Sequence, residues 1–110
     1  MIKKEESRQV KIAEDIAEFN FGANNLLELI VNNRNICLVK TTNGLQACAA
    51  KCPHAGAKMA LGKLDNKGNI VCCVHNYHFS LQNGRDSLNE GYFLKLYSVI
   101  VNNEGVFVEL

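Results

Sequence analysis

Two short segments near the middle of the chain each bring a cysteine close to a histidine. Cys52 and His54 are separated by one residue, and Cys72 and His75 are separated by two residues. Seventeen residues, 55–71, lie between the two segments. Cysteine thiolates and neutral imidazoles are ligands for zinc and for iron–sulfur centres. The four side chains are therefore predicted to form one metal centre.

The order of these residues favours one kind of metal centre over another. A zinc finger usually places its two cysteines close together and its two histidines close together, whereas each segment here contains one of each. Mixed pairs favour a [2Fe–2S] centre in which two cysteines hold one iron and two histidines hold the other. A zinc ion held by the same four side chains remains the alternative, because zinc also accepts both ligand types.

The segment KCPHAGAKMALGKLDNKGNIVCCVHNYHFSLQNG, residues 51–84, resembles the cluster-binding region of the Rieske ferredoxin family. Leu61-Gly62 is similar to an element that follows the first ligand loop in that family. His78-Phe79-Ser80, followed by Asn83-Gly84, is similar to the aromatic strand and hairpin after the second loop. The resemblance implies a [2Fe–2S] cluster at an exposed tip of the protein, bound by Cys52, His54, Cys72 and His75.

The second ligand loop departs from the family pattern Cys-Pro-x-His-Gly at two positions. Cys73 replaces the proline and Asn76 replaces the glycine. Asparagine tolerates positive φ better than most residues, so Asn76 is expected to adopt the glycine conformation. The register of the following aromatic strand selects Cys72 rather than Cys73 as the ligand. A third loop, which often contains prolines in the family, corresponds to about residues 86–91 and contains none.

The elements that must position these loops are predicted to be strands. Short segments rich in Val, Ile, Leu, Phe and Tyr alternate with Asn and Gly about every eight to twelve residues, a rhythm typical of an all-β fold. Residues 13–18 are predicted to be loop. The predicted strands are Gln9–Ala13, Asn25–Val31, Asn35–Thr41, Leu45–Ala49, Asn69–Cys72, His78–Leu81, Tyr92–Val101 and Val106–Glu109. Tight turns are predicted at Asn32-Asn33, Asn43-Gly44, Asn83-Gly84 and Glu104-Gly105.

The length of 110 residues predicts a single domain over residues 1–110. The family resemblance implies a Rieske-like antiparallel β-sandwich base. A small cluster-binding subdomain, at about residues 50–84, is expected to be inserted into that base.

Composition argues against several classes of partner. Lysine and arginine number 12 and aspartate and glutamate number 11, so no net field favours binding to nucleic acid or to an anionic membrane. No segment approaches the roughly 18 consecutive apolar residues of a membrane span, and a cytoplasmic location is expected. Cys37 and Cys48 lie in apolar segments and are predicted to be small core residues.

The resemblance implies an electron-transfer protein rather than an enzyme. Its expected redox partners are a reductase that supplies the electron and a terminal oxygenase, or another redox enzyme, that receives it. A second hypothesis is the small subunit or a regulatory module of a larger reductase, such as nitrite reductase. The third hypothesis is a binding domain stabilised by zinc.

Overall fold

The computed structural model describes residues 9–110, and within this range the regular structure consists of β-strands and two short 3-10 turns, Ile16–Glu18 and Met59–Leu61. The prediction of an all-β fold is confirmed. The charged segment at the start of the sequence, residues 1–8, lies outside the described residues. The strands are β1 (Gln9–Ala13), β2 (Leu26–Val31), β3 (Arg34–Thr41), β4 (Gly44–Ala49), β5 (Lys63–Leu64), β6 (Asn69–Val71), β7 (His78–Ser80), β8 (Leu96–Tyr97), β9 (Val99–Asn102) and β10 (Gly105–Glu109).

The strands form three antiparallel sheets. The base contains one sheet in the order β1-β10-β9 and a second in the order β2-β3-β4-β8. The third sheet is small and has the order β5-β6-β7. Because its strands follow β4 and precede β8 along the chain, this small sheet is inserted into the second sheet of the base, as predicted.

Strand β3 is buried on both faces and joins two hydrophobic cores. Side chains alternate between the faces of a strand, so successive residues of Ile36–Val39 enter different cores. One core contains Val108 of β10, and the other contains Phe79 of the inserted sheet. Cys37 and Cys48 lie opposite each other on β3 and β4 in the second core, each 0% exposed. Their prediction as core residues is confirmed.

The turn between β2 and β3 confirms the tight turn predicted at Asn32-Asn33. Val31 pairs with Arg34, which leaves Asn32 and Asn33 as a two-residue loop. Both asparagines have positive φ, at 50° and 65°. A type I′ turn requires this conformation at both of its central residues, and asparagine tolerates it.

Two predicted turns lie one residue earlier than expected. Gly44 pairs with Thr41 and Gly105 pairs with Asn102, so the two-residue loops are residues 42–43 and 103–104. Strand β5 was not predicted.

Two further segments differ from their predictions. The predicted strand Tyr92–Val101 is wrong as a single element, because β8 pairs with β4 whereas β9 pairs with β10, so the chain changes sheets at Ser98. The segment predicted as loop contains the turn Ile16–Glu18, where the Asp15 carboxylate accepts a hydrogen bond from the Ala17 amide (3.0 Å).

Candidate metal centre

Backbone hydrogen bonds fold the first ligand loop, which follows β4. The Cys52 amide donates to the Ala57 carbonyl (2.8 Å), and the Gly56 amide donates to the Cys52 carbonyl (2.7 Å). The φ of Gly56 is 73°, which glycine adopts without steric cost. The His54 amide donates to Cys52 Sγ (3.4 Å). The loop thus holds a buried cysteine beside a histidine that is only partly buried.

The second ligand loop joins β6 to β7 and repeats the hydrogen-bond pattern of the first. The Cys72 amide donates to the Tyr77 carbonyl (2.9 Å), and the Val74 amide donates to Cys72 Sγ (3.4 Å). His75 and Asn76 follow with φ of 62° and 52°. Asn76 therefore adopts the left-handed conformation predicted for the position of the family glycine. In both loops the cysteine sulfur accepts an amide hydrogen bond from two residues further along the chain.

The two loops bring the predicted ligands together as a pair of thiols and a pair of imidazoles. Cys52 and Cys72 are both buried, at 2% and 0% exposed. The rings of His54 and His75 lie with their centroids 5.3 Å apart, and His75 is exposed to solvent. Within residues 9–110, no three Cys, His, Asp or Glu side chains converge on one point as ligands of a single ion. Separate pairs are the arrangement that a binuclear centre uses, whereas structural zinc has four donors around one ion.

His54 has an unsatisfied nitrogen in this site. Its Nδ1 atom is buried and has no hydrogen-bond partner among the described residues. A buried polar atom without a partner is costly and requires an explanation. An imidazole nitrogen with a free lone pair is a metal ligand, so the observation fits a metal-binding role for this atom.

Aromatic side chains fix the orientation of the His54 ring. Tyr77 stacks on the ring with a centroid distance of 4.0 Å and an interplanar angle of 18°. Tyr92 contacts it edge-on, with a centroid distance of 5.1 Å. With one stacked and one edge-on neighbour, the imidazole has little freedom to rotate.

Burial keeps the Cys72 thiol protonated in the absence of a metal. Its removal from water, together with the nearby Cys52, raises the pKa of Cys72 to about 11, although the hydrogen bond from the Val74 amide acts in the opposite direction. Metals bind the thiolate form of cysteine. Metal binding at Cys72 is therefore coupled to release of a proton.

A buried carboxylate organises the third loop, which the sequence analysis identified only by its lack of proline. Asp86 is 3% exposed, and it accepts hydrogen bonds from the amides of Leu88 (3.0 Å), Glu90 (2.9 Å) and Tyr92 (2.8 Å). These bonds, led by the one from Glu90, hold the pKa of Asp86 below its usual value even though burial opposes the shift. The carboxylate thereby fixes the backbone of a loop that has no proline.

The third loop is tied to the second loop across His54. The Tyr77 hydroxyl donates to Glu90 Oε1 over 2.5 Å. This hydrogen bond, with a smaller contribution from burial, raises the pKa of Tyr77 to about 12. Tyr77 was expected only to pack against the ligand loop and Glu90 was not predicted, because no residue pattern shows that positions thirteen apart meet beside a ligand.

His78, the third histidine of the chain, is hydrogen-bonded to a carboxylate outside the four-residue site. Its Nδ1 atom lies 2.7 Å from Asp65 Oδ2. Asp65 also accepts hydrogen bonds from the amides of Lys67 (2.8 Å) and Asn69 (2.9 Å). Although burial opposes the shift, these contacts, with that of His78 the strongest, hold the pKa of Asp65 well below its usual value. The pair links the β5–β6 turn to β7, which begins three residues after His75.

Gly62 allows the end of the first loop to approach β6 closely. A Cβ atom at this position would lie 1.9 Å from the Val71 carbonyl oxygen. Val71 directly precedes the ligand loop that contains Cys72, so this contact places the two loops relative to each other. Cys73 is exposed, in contrast to the buried Cys72.

Comparison with known proteins gives a family match and several similar structures. The family model described as Rieske [2Fe-2S] domain matches residues 6–90. A search of curated proteins found no significant match. Residues 9–110 contain no helix that could span a bilayer.

Three solved structures show the same fold at low sequence identity. The ferredoxin of carbazole 1,9a-dioxygenase from Nocardioides aromaticivorans IC177 is 20% identical, with a TM-score of 0.75 over 91% of this chain and 95% of that chain. A protein assigned as the NADH-dependent nitrite reductase small subunit from Mycobacterium tuberculosis is 16% identical, with a TM-score of 0.80 over 96% of this chain and 97% of that chain. A chain from the complex of reduced oxygenase and oxidized ferredoxin in carbazole 1,9a-dioxygenase is 18% identical, with a TM-score of 0.72 over 92% of each chain.

Proposed function

Because this chain belongs to the Rieske [2Fe–2S] domain family, we propose that it is a one-electron carrier and not itself an enzyme. Its cofactor is a [2Fe–2S] cluster. We assign one iron to the two cysteines and the other to the two histidines, by the ligation that this family uses. The four ligands are Cys52, Cys72, His54 and His75.

The observation that carries this assignment is the separation of the two ligand types in the site. Both thiols are buried in the core, whereas His75 is exposed and His54 is partly buried, with a buried Nδ1 atom that has no hydrogen-bond partner among the described residues. A binuclear cluster needs one pair of donors at each iron. The chain supplies a pair of sulfur donors on its inner side and a pair of nitrogen donors on its outer side.

The protein contributes burial, orientation and a route for the electron. When bound, the cluster accepts and releases one electron, and its two neutral imidazoles make reduction easier than four thiolates would. The core around Cys52 and Cys72 excludes water from the sulfur side. His75 brings the other side to the protein surface, within reach of a partner. Electron transfer is therefore proposed to occur through the histidine side.

The proposed partners are redox proteins: a reductase as donor and a terminal oxygenase or similar enzyme as acceptor. The support for an oxygenase partner is the similarity to a ferredoxin chain that was solved in complex with an oxygenase. The proposed setting of this exchange is the cytoplasm.

A role as the small subunit of a larger reductase is the second candidate function. It is favoured by the similarity to a nitrite reductase small subunit, which extends over 96% of this chain. The two roles predict different association with the partner. A subunit is expected to elute with its reductase as a stable complex in gel filtration, whereas a carrier is expected to elute alone.

Cofactor analysis of anaerobically purified protein tests the proposed function. We expect about two irons and two labile sulfides per chain, and a reduced form with an EPR signal of low average g-value. Zinc without sulfide in the fully loaded protein would refute the proposal and favour a zinc-stabilised domain.

Variants of the adjacent cysteines test the ligand assignment separately. Cys72→Ser is expected to abolish or grossly alter the cluster, because it removes a buried sulfur donor. Cys73→Ser is the matched control and should keep the spectrum and iron content, because Cys73 is exposed. If Cys73→Ser loses the cluster while Cys72→Ser keeps it, the assignment is wrong by one residue.

A further inference from the structure

Positive charge is concentrated in the inserted part of the chain. Residues 50–84 contain four lysines and one aspartate, a net charge of +3, whereas the whole chain has a net charge of +1. The base, residues 9–49 and 96–110, contains three basic and six acidic residues, a net charge of −3. The aspartate of the inserted part, Asp65, is already paired with His78. The excess positive charge thus lies in the same inserted part of the chain as both ligand loops.

Three of the four lysines flank these loops. Lys51 directly precedes Cys52 and pairs with Lys58 in an antiparallel bridge that closes the first loop. Lys63 lies in β5 and lines a groove of about 240 Å³ together with Cys73 of the second loop. All three lysines are exposed, and none of them forms a salt bridge within residues 9–110. Their charges are therefore not neutralised by the described part of the chain.

An exposed apolar side chain lies among these lysines. Leu61 is 68% exposed and lines the same groove as Lys63. The acidic residue Glu90 is not part of this group of lysines. It belongs to the third loop and is hydrogen-bonded to Tyr77, which stacks on His54. An apolar contact with a charged rim is typical of protein interfaces, in which rim charges mainly set the association rate.

We propose that Lys51, Lys58 and Lys63, together with Leu61, form the docking surface for a redox protein with an acidic patch around its own cofactor. Opposite charges would orient the partner over the ligand loops, which shortens the path from the histidine side to the partner's cofactor. This inference rests on the proposed electron-carrier function, because it identifies the kind of partner that meets the same site.

Small charged oxidants test the local charge without a known partner. The reduced protein is mixed with hexacyanoferrate(III), which takes one electron from it and becomes hexacyanoferrate(II). The rate is followed by stopped-flow absorption of the cluster. Hexacyanoferrate(III) is an anion, so the rate at which it oxidises the protein should fall as ionic strength rises and screens the attraction to the lysines. Oxidation by cationic cobalt(III) trisphenanthroline should instead become faster as ionic strength rises.

Variants assign this dependence to particular lysines. Combined replacement of Lys51, Lys58 and Lys63 by glutamine should slow oxidation by hexacyanoferrate(III) about tenfold at low ionic strength. Lys58→Gln alone should slow it about threefold. Lys67→Gln is the matched control, because Lys67 is an exposed lysine at the β5–β6 turn, the end of this hairpin opposite to Lys63. It should change the rate less than about twofold.

The outcomes separate this inference from the function on which it rests. A protein that holds no cluster or cannot be reversibly reduced would refute both. A loaded and reducible protein whose triple variant reacts as fast as the parent, or whose Lys58→Gln and Lys67→Gln variants slow equally, would refute only the docking surface. Unchanged absorption spectra and midpoint potentials of the variants would show that the rate effects come from charge.

Discussion

Replacing Gly62 with alanine is expected to destabilise the inserted sheet and to disturb both ligand loops. The added Cβ would lie 1.9 Å from the Val71 carbonyl oxygen, whereas such contacts essentially never fall below 3.0 Å, so the backbone must separate by about 1.1 Å. The φ of Gly62 is −88°, so the cost comes from this contact and not from an unusual φ. Overpacking typically costs about 1–3 kcal/mol. Because the neighbour is backbone and not a flexible side chain, we expect about 3 kcal/mol.

Urea unfolding of the cluster-containing protein measures this cost. Far-UV circular dichroism reports the fold, and bleaching of the visible absorption reports the site. A loss of about 3 kcal/mol should lower the midpoint by roughly 1–3 M urea. Lys63→Ala is the control, because Lys63 is the next residue along the chain and is exposed, and it should change stability by less than about 0.5 kcal/mol. Equal midpoints for the two variants would refute the requirement for glycine beside Val71.

Four further predictions follow from the site. Tyr77→Phe keeps the aromatic ring on His54 but removes the hydrogen bond to Glu90. The EPR signal should therefore broaden, and the cluster should bleach faster in air. An unchanged signal and bleaching rate would show that stacking alone holds the histidine. Asn76→Gly removes the strain of a non-glycine residue at positive φ and should raise the thermal unfolding midpoint by about 2–5 °C. A lower midpoint would contradict this reasoning. The pKa of Asp65 is lower in the folded protein than in the unfolded chain. The Asp65 carboxylate therefore stabilises the fold fully above its unfolded pKa of about 4, and this stabilisation is lost as the pH falls below that value. Asp65→Asn should flatten the acid side of a plot of unfolding free energy against pH. The midpoint potential of the cluster should lie at about −150 to 0 mV. The reason is that the ligand sulfurs accept hydrogen bonds from backbone amides and, within residues 9–110, none from hydroxyl groups. A midpoint above about +200 mV would contradict this reasoning.

Local sequence signals were sufficient where the contacts that matter are local. Asn32-Asn33 predicted a hairpin because the two turn residues set their own backbone conformation. The two ligand loops were predictable for the same reason, since a cysteine and a histidine within a few residues of each other share one turn. The apolar segment of β3 predicted a strand, and its burial on both faces follows from the unbroken run Ile36–Val39.

The sequence was insufficient where the chain passes from one sheet to another without a change in its pattern of apolar residues. Residues 92–101 have the composition of one long strand, yet β8 completes the sheet of β4 and β9 joins the sheet of β10. Both halves bury side chains against the base, so their hydrophobicity gives no sign of the break at Ser98. Which sheet accepts a strand is decided by long-range pairing, and no short segment contains that information.

The third loop shows how one structural requirement can be met by two different kinds of residue. Proline restricts a loop covalently, by fixing φ, and is visible in a sequence by its type alone. Asp86 restricts this loop through hydrogen bonds from three downstream amides, and these acceptor contacts exist only after the backbone has turned around the carboxylate. The loop that carries Glu90 and Tyr92 to the His54 ring is therefore held by a charge. Its order is coupled to ionisation of Asp86, a dependence that a proline-based loop would not have.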